Sequence, residues 1–211
     1  MREHSNEPTD RQRGIALLMM DFQNTIVEMV PESRRERVLS HAQVLLGKAR
    51  AASVPVFHVV VRFRAGHPEV HPANKGFSAI KAAGRLLEGT PGAEIHASVS
   101  PVAGEPVVTK RRVGAFGTTD LRTMLGARGI HTLVLAGLVT GGVVTTTVRE
   151  AADLDFTLYV VVCVRRPGRG GASRPHGEGL REAGDGGEHG RDRSCVCSRC
   201  FRRASAGSVN Q

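Results

Sequence analysis

Residues 131–162 read HTLVLAGLVTGGVVTTTVREAADLDFTLYVVV. HTLVLAGL (131–138) is an unbroken apolar run of strand length, the strongest in the chain. GLVTGG is a glycine-rich turn. TTTVREAADLD (145–155) carries a helical pattern, and FTLYVVV (156–162) is apolar again. Short runs without polar alternation suit strands covered on both faces, and a helix between two such strands makes a crossover that leaves them parallel.

The same alternation extends toward the N-terminus. GIALLMMDF (14–22) and PVFHVVVRF (55–63) read as buried strands, and PVVTK (106–110) as a third. Between the first two, residues 32–52 place Val38, Leu39, Val44, Leu45 and Leu46 at helical spacing. Residues 64–74 form a loop containing Pro and His, and a weaker helical pattern follows over 79–87. TTDLRTMLGARG (118–129) predicts a helix with a threonine cap and a glycine stop. Strands alternating with helices predict an α/β fold with a parallel, doubly wound sheet.

Composition narrows the function. A chain of 211 residues accommodates one domain with a substantial core. No segment approaches the roughly 18 apolar residues of a membrane span. The polar start MREHSNEPTDRQRG does not resemble a secretory signal, so a cytoplasmic protein is expected. The net charge is +9, but residues 164–211 hold ten arginines against five acids. The body is therefore only mildly basic, which argues against a polyanion partner.

Ligands of doubly wound sheets bind beyond the carboxyl ends of the strands. Asp21, Lys110 and the GLVTGG turn each follow a strand, so three strands deliver a carboxylate, an ammonium and a glycine-rich turn to one sheet edge. A lone Asp or Lys is commonly a cap or a solvated charge. The three together predict a shared pocket.

LLMMDFQN, VVTKRRVGAFGTTDL and LVLAGLVTGGVVTTTVREAADL, in that order, closely resemble the three motif blocks of the isochorismatase-like hydrolase superfamily. The resemblance implies a three-layer α/β/α domain with a mainly parallel sheet of six strands, often assembled into homo-oligomers. It implies a small-molecule substrate and places the catalytic Asp at Asp21 and the catalytic Lys at Lys110. The cysteine nucleophile of most members falls at Val143, which has no lone pair. Thiol-dependent amide hydrolysis is therefore not expected, and the hydroxyls of Thr145, Thr146 and Thr147 are poor substitutes without a base aimed at them. Members without the thiol cleave vinyl ethers by Asp-assisted protonation, which leaves Asp21 as acid or base and Lys110 as its electrostatic partner. Lys110 would lower the Asp21 pKa and burial would raise it. The competing reading is a non-catalytic small-molecule-binding or assembly protein on the same fold.

The resemblance also implies a cis peptide at Val139–Thr140 and a substrate pocket or oxyanion hole involving Phe116, Val139, Thr140 and Gly142, with the backbone N–H groups of Gly142 and Val143 as donors. Phe116 either lines the pocket or packs beneath it. Of Arg111 and Arg112, one points to solvent and either can bind a substrate carboxylate. Relatives that bind metal use an Asp-x-His pair. RFRAGHPEVHP offers only His67 and His71, which are expected to be solvated, so neither a metal nor a cofactor is expected.

All four cysteines lie at or beyond Cys163, where the apolar periodicity stops. The reading is a flexible segment over 1–13, a hydrolase domain over 14–163, and a disordered Arg/Gly-rich tail over 164–211. CVCSRC (195–200) is a poor zinc motif, lacking a clear second pair. Back-translating 163–190 with GC-rich codons and reading from the second base gives ASADPDAEVHRVLMEKVFARQATVVSTA. This has the pattern of the loop, helix and strand that the fold requires next. The tail is accordingly read as out of frame, with the last helix–strand unit missing or scrambled.

Overall fold

The computed structural model describes residues 14–161. The expectations for the N-terminal segment, for Cys163 and for the tail with its frame lie outside them.

Five strands form one sheet: β1 (Ile15–Met20), β2 (Val56–Val61), β3 (Val107–Lys110), β4 (Thr132–Gly137) and β5 (Thr157–Val161). All neighbours are parallel, in the order β3-β2-β1-β4-β5. The direction of winding reverses between β1 and β4, where Met20 pairs with Gly137. A crevice for ligands opens at such a reversal, and it lies here between Asp21 and the glycine-rich turn.

β1, β2 and β4 are buried at every position, which is why they lack polar alternation. Ala16, Leu18 and Met20 face one way, where they meet Leu121 and Leu125 of α4 (Leu121–Gly126) and Ala151 of α5 (Thr145–Ala152). Ile15, Leu17 and Met19 face the other way, against Ala42, Leu45, Leu46 and Ala49 of α2 (Glu32–Ala51). Covering a strand this way contributes roughly 1.5–3 kcal/mol for each large apolar side chain. A third cluster, with Val61, Phe63, Phe77 and Leu86, packs α3 (Lys75–Ala82) beyond the end of β2. These layers give the expected α/β/α architecture.

Local readings differ at four places. A short helix, α1 (Asn24–Glu28), follows β1 without a side-chain cap to signal it. α3 starts earlier than expected because Asn74 Oδ1 accepts the Phe77 amide at 3.1 Å, and it ends before Gly84, which has φ +59°. α4 is shorter than 118–129: Thr119 Oγ1 accepts the Leu121 amide at 3.2 Å, and the turn closes at Gly129 with φ +62°. In α2, Val44 is exposed, and the buried stripe runs through Val38, Ala42, Leu45, Leu46 and Ala49 instead.

Candidate active site

Asp21 has φ +60°. Strand alternation would send it after Met19 toward α2. The left-handed backbone, a cost of roughly 1–2 kcal/mol for a non-glycine residue, breaks that alternation. Its amide still donates to Val59 O at 2.8 Å, and its carboxylate meets Lys110, which follows Val108 on the α4–α5 face of β3. Lys110 Nζ donates to Asp21 Oδ2 at 3.2 Å and to the Arg112 carbonyl at 3.3 Å. Asp21 Oδ1 is buried with no hydrogen-bond partner among the described residues.

Asp21 is 4 % exposed and Lys110 1 %. Burial raises the Asp21 pKa above its ordinary value of 3.8, and Lys110 only partly opposes it through charge and hydrogen bonding. Burial therefore prevails in the competition the sequence left open.

Gln23, which the sequence reading passed over, braces this edge. Its Nε2 donates to Val61 O at 2.9 Å and Ala93 O at 2.7 Å, while its Oε1 accepts the Val61 amide at 2.8 Å. A single amide thus joins the ends of β1 and β2 to the 91–93 turn. The signal for it was a fully polar side chain just after a buried strand.

After β4 the chain makes a wide helical turn over Thr140–Val144 and runs straight into α5. Val143 is 1 % exposed and belongs to the core. Val139 and Thr140 are exposed at the surface of the turn. The expected cis bond at Val139–Thr140 is absent: no described peptide is cis. A non-proline cis bond costs roughly 3 kcal/mol unless its surroundings impose it. Here the Val139 carbonyl accepts the Gly142 amide at 3.0 Å and the Val144 amide at 3.4 Å, closing the turn without one. The Gly142 donor proposed for an oxyanion is thereby committed to Val139.

Residues 114–116 are held by α5. The Ala115 amide donates to Thr147 Oγ1 and the Phe116 amide to Glu150 Oε2, both at 3.2 Å. Phe116 packs in the core, 5.8 Å ring to ring from Phe156. Thr147 is fully buried and Thr145 Oγ1 donates to the Thr140 carbonyl at 2.7 Å, so both hydroxyls serve structural bonds.

Arg64, Glu69, Thr109, Arg111, Arg112 and Thr118 line a cavity of about 500 Å³ that takes in both chain neighbours of Lys110. Arg111 pairs with Glu69 at 3.2 Å and Glu88 at 2.6 Å, and donates to the Arg62 carbonyl. Arg64 pairs with Glu69 at 2.8 Å. Burial pushes the Glu69 pKa up, but backbone hydrogen bonds and the two guanidinium groups outweigh it and leave the pKa below the usual value. Arg112 is the exposed member of the Arg111–Arg112 pair.

His67 is buried rather than solvated, because its Nε2 is 2.8 Å from the Arg85 carbonyl and its ring lies 5.2 Å from that of Phe63. Among the described residues, no three His, Cys, Asp or Glu side chains cluster to hold a metal, and no helix is long and apolar enough to cross a membrane.

Residues 15–163 match the isochorismatase domain family model. A secreted isochorismatase effector of Verticillium dahliae is 32% identical over 68% of this chain and 68% of its own length. A maleamate amidohydrolase of Pseudomonas putida is 33% identical, over 72% of each chain. Among solved structures, an isochorismatase family protein from Desulfovibrio vulgaris superposes with a TM-score of 0.62 at 32% identity, covering 71% of this chain and 80% of the other. With its five-stranded parallel sheet and the motif blocks in order, this chain belongs to the isochorismatase family.

Proposed function

We propose that the chain is a hydrolase of small-molecule vinyl ethers, with Asp21 as the proton donor and Lys110 as its electrostatic partner. The observation that carries this reading is the Asp21 carboxyl group. One oxygen is bound to Lys110, the other is free of partners among the described residues, and burial favours the protonated form. Such a group still carries its proton at pH values where an ordinary carboxyl has lost it, and so has one to deliver to a carbon that becomes cationic nearby.

Asp21 delivers its proton to the terminal methylene carbon, and the ether carbon becomes an oxocarbenium ion beside the new carboxylate. Water adds to that carbon and its proton returns to Asp21. The hemiketal then breaks its other C–O bond, releasing an alcohol and a ketone. No protein nucleophile is needed, which agrees with a buried valine at position 143. An amide-cleaving reading finds no thiol in residues 14–161.

A second reading, a binding or assembly protein without catalysis, draws on the closure of the site. Asp21, Lys110 and Val143 are all buried, so a substrate meets none of them without a local opening of the structure. Pyruvate release from 2-phenoxyacrylate separates the two readings. The hydrolase predicts turnover that Asp21→Asn abolishes and Val143→Gly increases. A folded protein without turnover, or turnover that survives Asp21→Asn, selects the second.

A further inference from the structure

The arginine-lined cavity that takes in both chain neighbours of Lys110 has a site's chemistry that the proton transfer does not use. Arg111 is fully engaged, with Glu69, Glu88 and the Arg62 carbonyl. Arg64 is held by Glu69. Arg112 differs. Its Nη1 donates only to carbonyls, Glu69 O at 3.2 Å and Arg111 O at 2.7 Å, and it pairs with no carboxylate among the described residues. A guanidinium carries five donors in a planar fork that fits a carboxylate, and this one is exposed with donors to spare.

Charge sets the kind of anion. Arg64, Arg111 and Arg112 face Glu69 and Glu88, so three cations against two carboxylates leave one net positive charge. That balance suits a single carboxylate better than a phosphate dianion.

Position ties the cavity to the reaction. Lys110 Nζ bonds both Asp21 and the Arg112 carbonyl, so Arg112 is one hydrogen bond from the residue that holds the proton donor. The next residue, Val113, is 39 % exposed, and its Cγ1 lies 3.9 Å from where a Cβ on Gly142 would stand. Val139, 41 % exposed, lies against the same glycine. Two exposed apolar side chains therefore gather at Gly142, the first of them next to Arg112 in the chain.

We propose that Arg112 forms a carboxylate-recognition subsite, and that the small molecule handled here is a monocarboxylate whose compact apolar body lies along Val113 and Val139. Glu69 acts as a positioning residue that holds Arg64 and Arg111 around the cavity. The role of the bound acid as substrate rests on the hydrolase reading; its binding does not.

Isothermal titration of the full chain with benzoate, benzyl alcohol and phenyl phosphate tests this. A charge-assisted bond contributes enough for benzoate to bind about tenfold more tightly than benzyl alcohol. Arg112→Gln should remove that advantage and leave benzyl alcohol unchanged, Arg112→Lys should restore part of it, and Arg122→Gln on the exposed face of α4 should keep it. Circular dichroism checks that each variant folds. Benzoate binding no tighter than benzyl alcohol, an equal loss in Arg122→Gln, or no loss in folded Arg112→Gln overturns the subsite. Tighter binding of phenyl phosphate than of benzoate overturns its assignment to a carboxylate. If this binding pattern holds but 2-phenoxyacrylate is not turned over, the hydrolase reading alone fails. If turnover occurs and benzoate binding ignores Arg112, the subsite alone fails.

Discussion

Lys110 Nζ lies 3.2 Å from Asp21 Oδ2, while Asp21 Oδ1, in the same buried setting, has no partner among the described residues. The ammonium stabilises the ionised carboxylate and burial opposes it, with burial the larger effect. A proton donor works below its pKa and fails above it. The descending limb of the kcat–pH profile should therefore lie above pH 3.8, the ordinary Asp value. Lys110→Met removes both effects that lower this pKa, the charge and the hydrogen bond, so the limb should move to higher pH while activity survives on its acid side. A limb that stays fixed or moves to lower pH would show that Asp21 is not the donor.

Gly114 faces Glu150 so closely that a Cβ there would fall inside the Glu150 carboxylate. The carboxylate belongs to a flexible side chain, but it is held by the Phe116 amide. Gly114→Ala should force it away, break that bond and destabilise the fold by roughly 1–2 kcal/mol. Gly114→Ala combined with Glu150→Ala should recover part of the loss, because the clash disappears. Equal or additive losses in thermal melts of the double variant would place the cost elsewhere.

How much of this was legible in the sequence depended on where each residue's partners lie. β1, β2 and β4 were readable because burial on both faces removes polar residues from the run, and the Asp21 and Lys110 positions followed from where those runs and β3 end. The left-handed turn at Asp21, which sends its carboxylate to Lys110, has no sequence signal beyond the tolerance of Asp for that conformation. The Thr147 and Glu150 contacts to residues 115 and 116 join positions more than thirty residues apart. Their spacing on α5 put them on one face, but nothing local named the loop they hold. The expected cis bond at Val139–Thr140 failed because it was carried over by resemblance, whereas the hydrogen bonds to Val139 O decide the turn.

The reading frame after Cys163 is open to a direct check. β5 is paired to β4 alone among the described strands, and Leu158 on it is buried in the α4–α5 core. A helix and strand continuing from it would cover this side of the sheet, and a frame shifted by one base is expected to supply that pattern. Sequencing the DNA across codons 155–170 should reveal one base inserted or deleted near codon 163. The repaired chain should then melt cooperatively at a higher temperature than the chain as it stands. An intact mass and DNA that both match the present tail would dispose of the frameshift.

At the other end of the core, Glu105 gathers a partly buried network whose titration should shape acid stability. Its Oε1 accepts from Arg50 Nε at 2.7 Å, and its Oε2 accepts from Arg50 Nη2 at 2.8 Å, His58 Nε2 at 2.9 Å and the Val102 amide at 3.1 Å. Burial raises the Glu105 pKa, but these bonds together outweigh it and bring the pKa down to about 2 from 4.5. A carboxylate depressed in the folded state stabilises the protein fully above its unfolded pKa, and loses that contribution as pH falls through the folded value. Stability should therefore fall between pH 4.5 and about 2. His58, whose pKa is lowered by burial despite Glu105, adds a decline that begins below pH 6.5. Glu105→Gln should remove the lower part of this acid slope and cost roughly 1–3 kcal/mol at neutral pH, because Arg50 and His58 lose a charged acceptor. Urea unfolding at a series of pH values reads both effects. An unchanged slope below pH 4.5 in the variant would mean that other carboxylates govern acid unfolding.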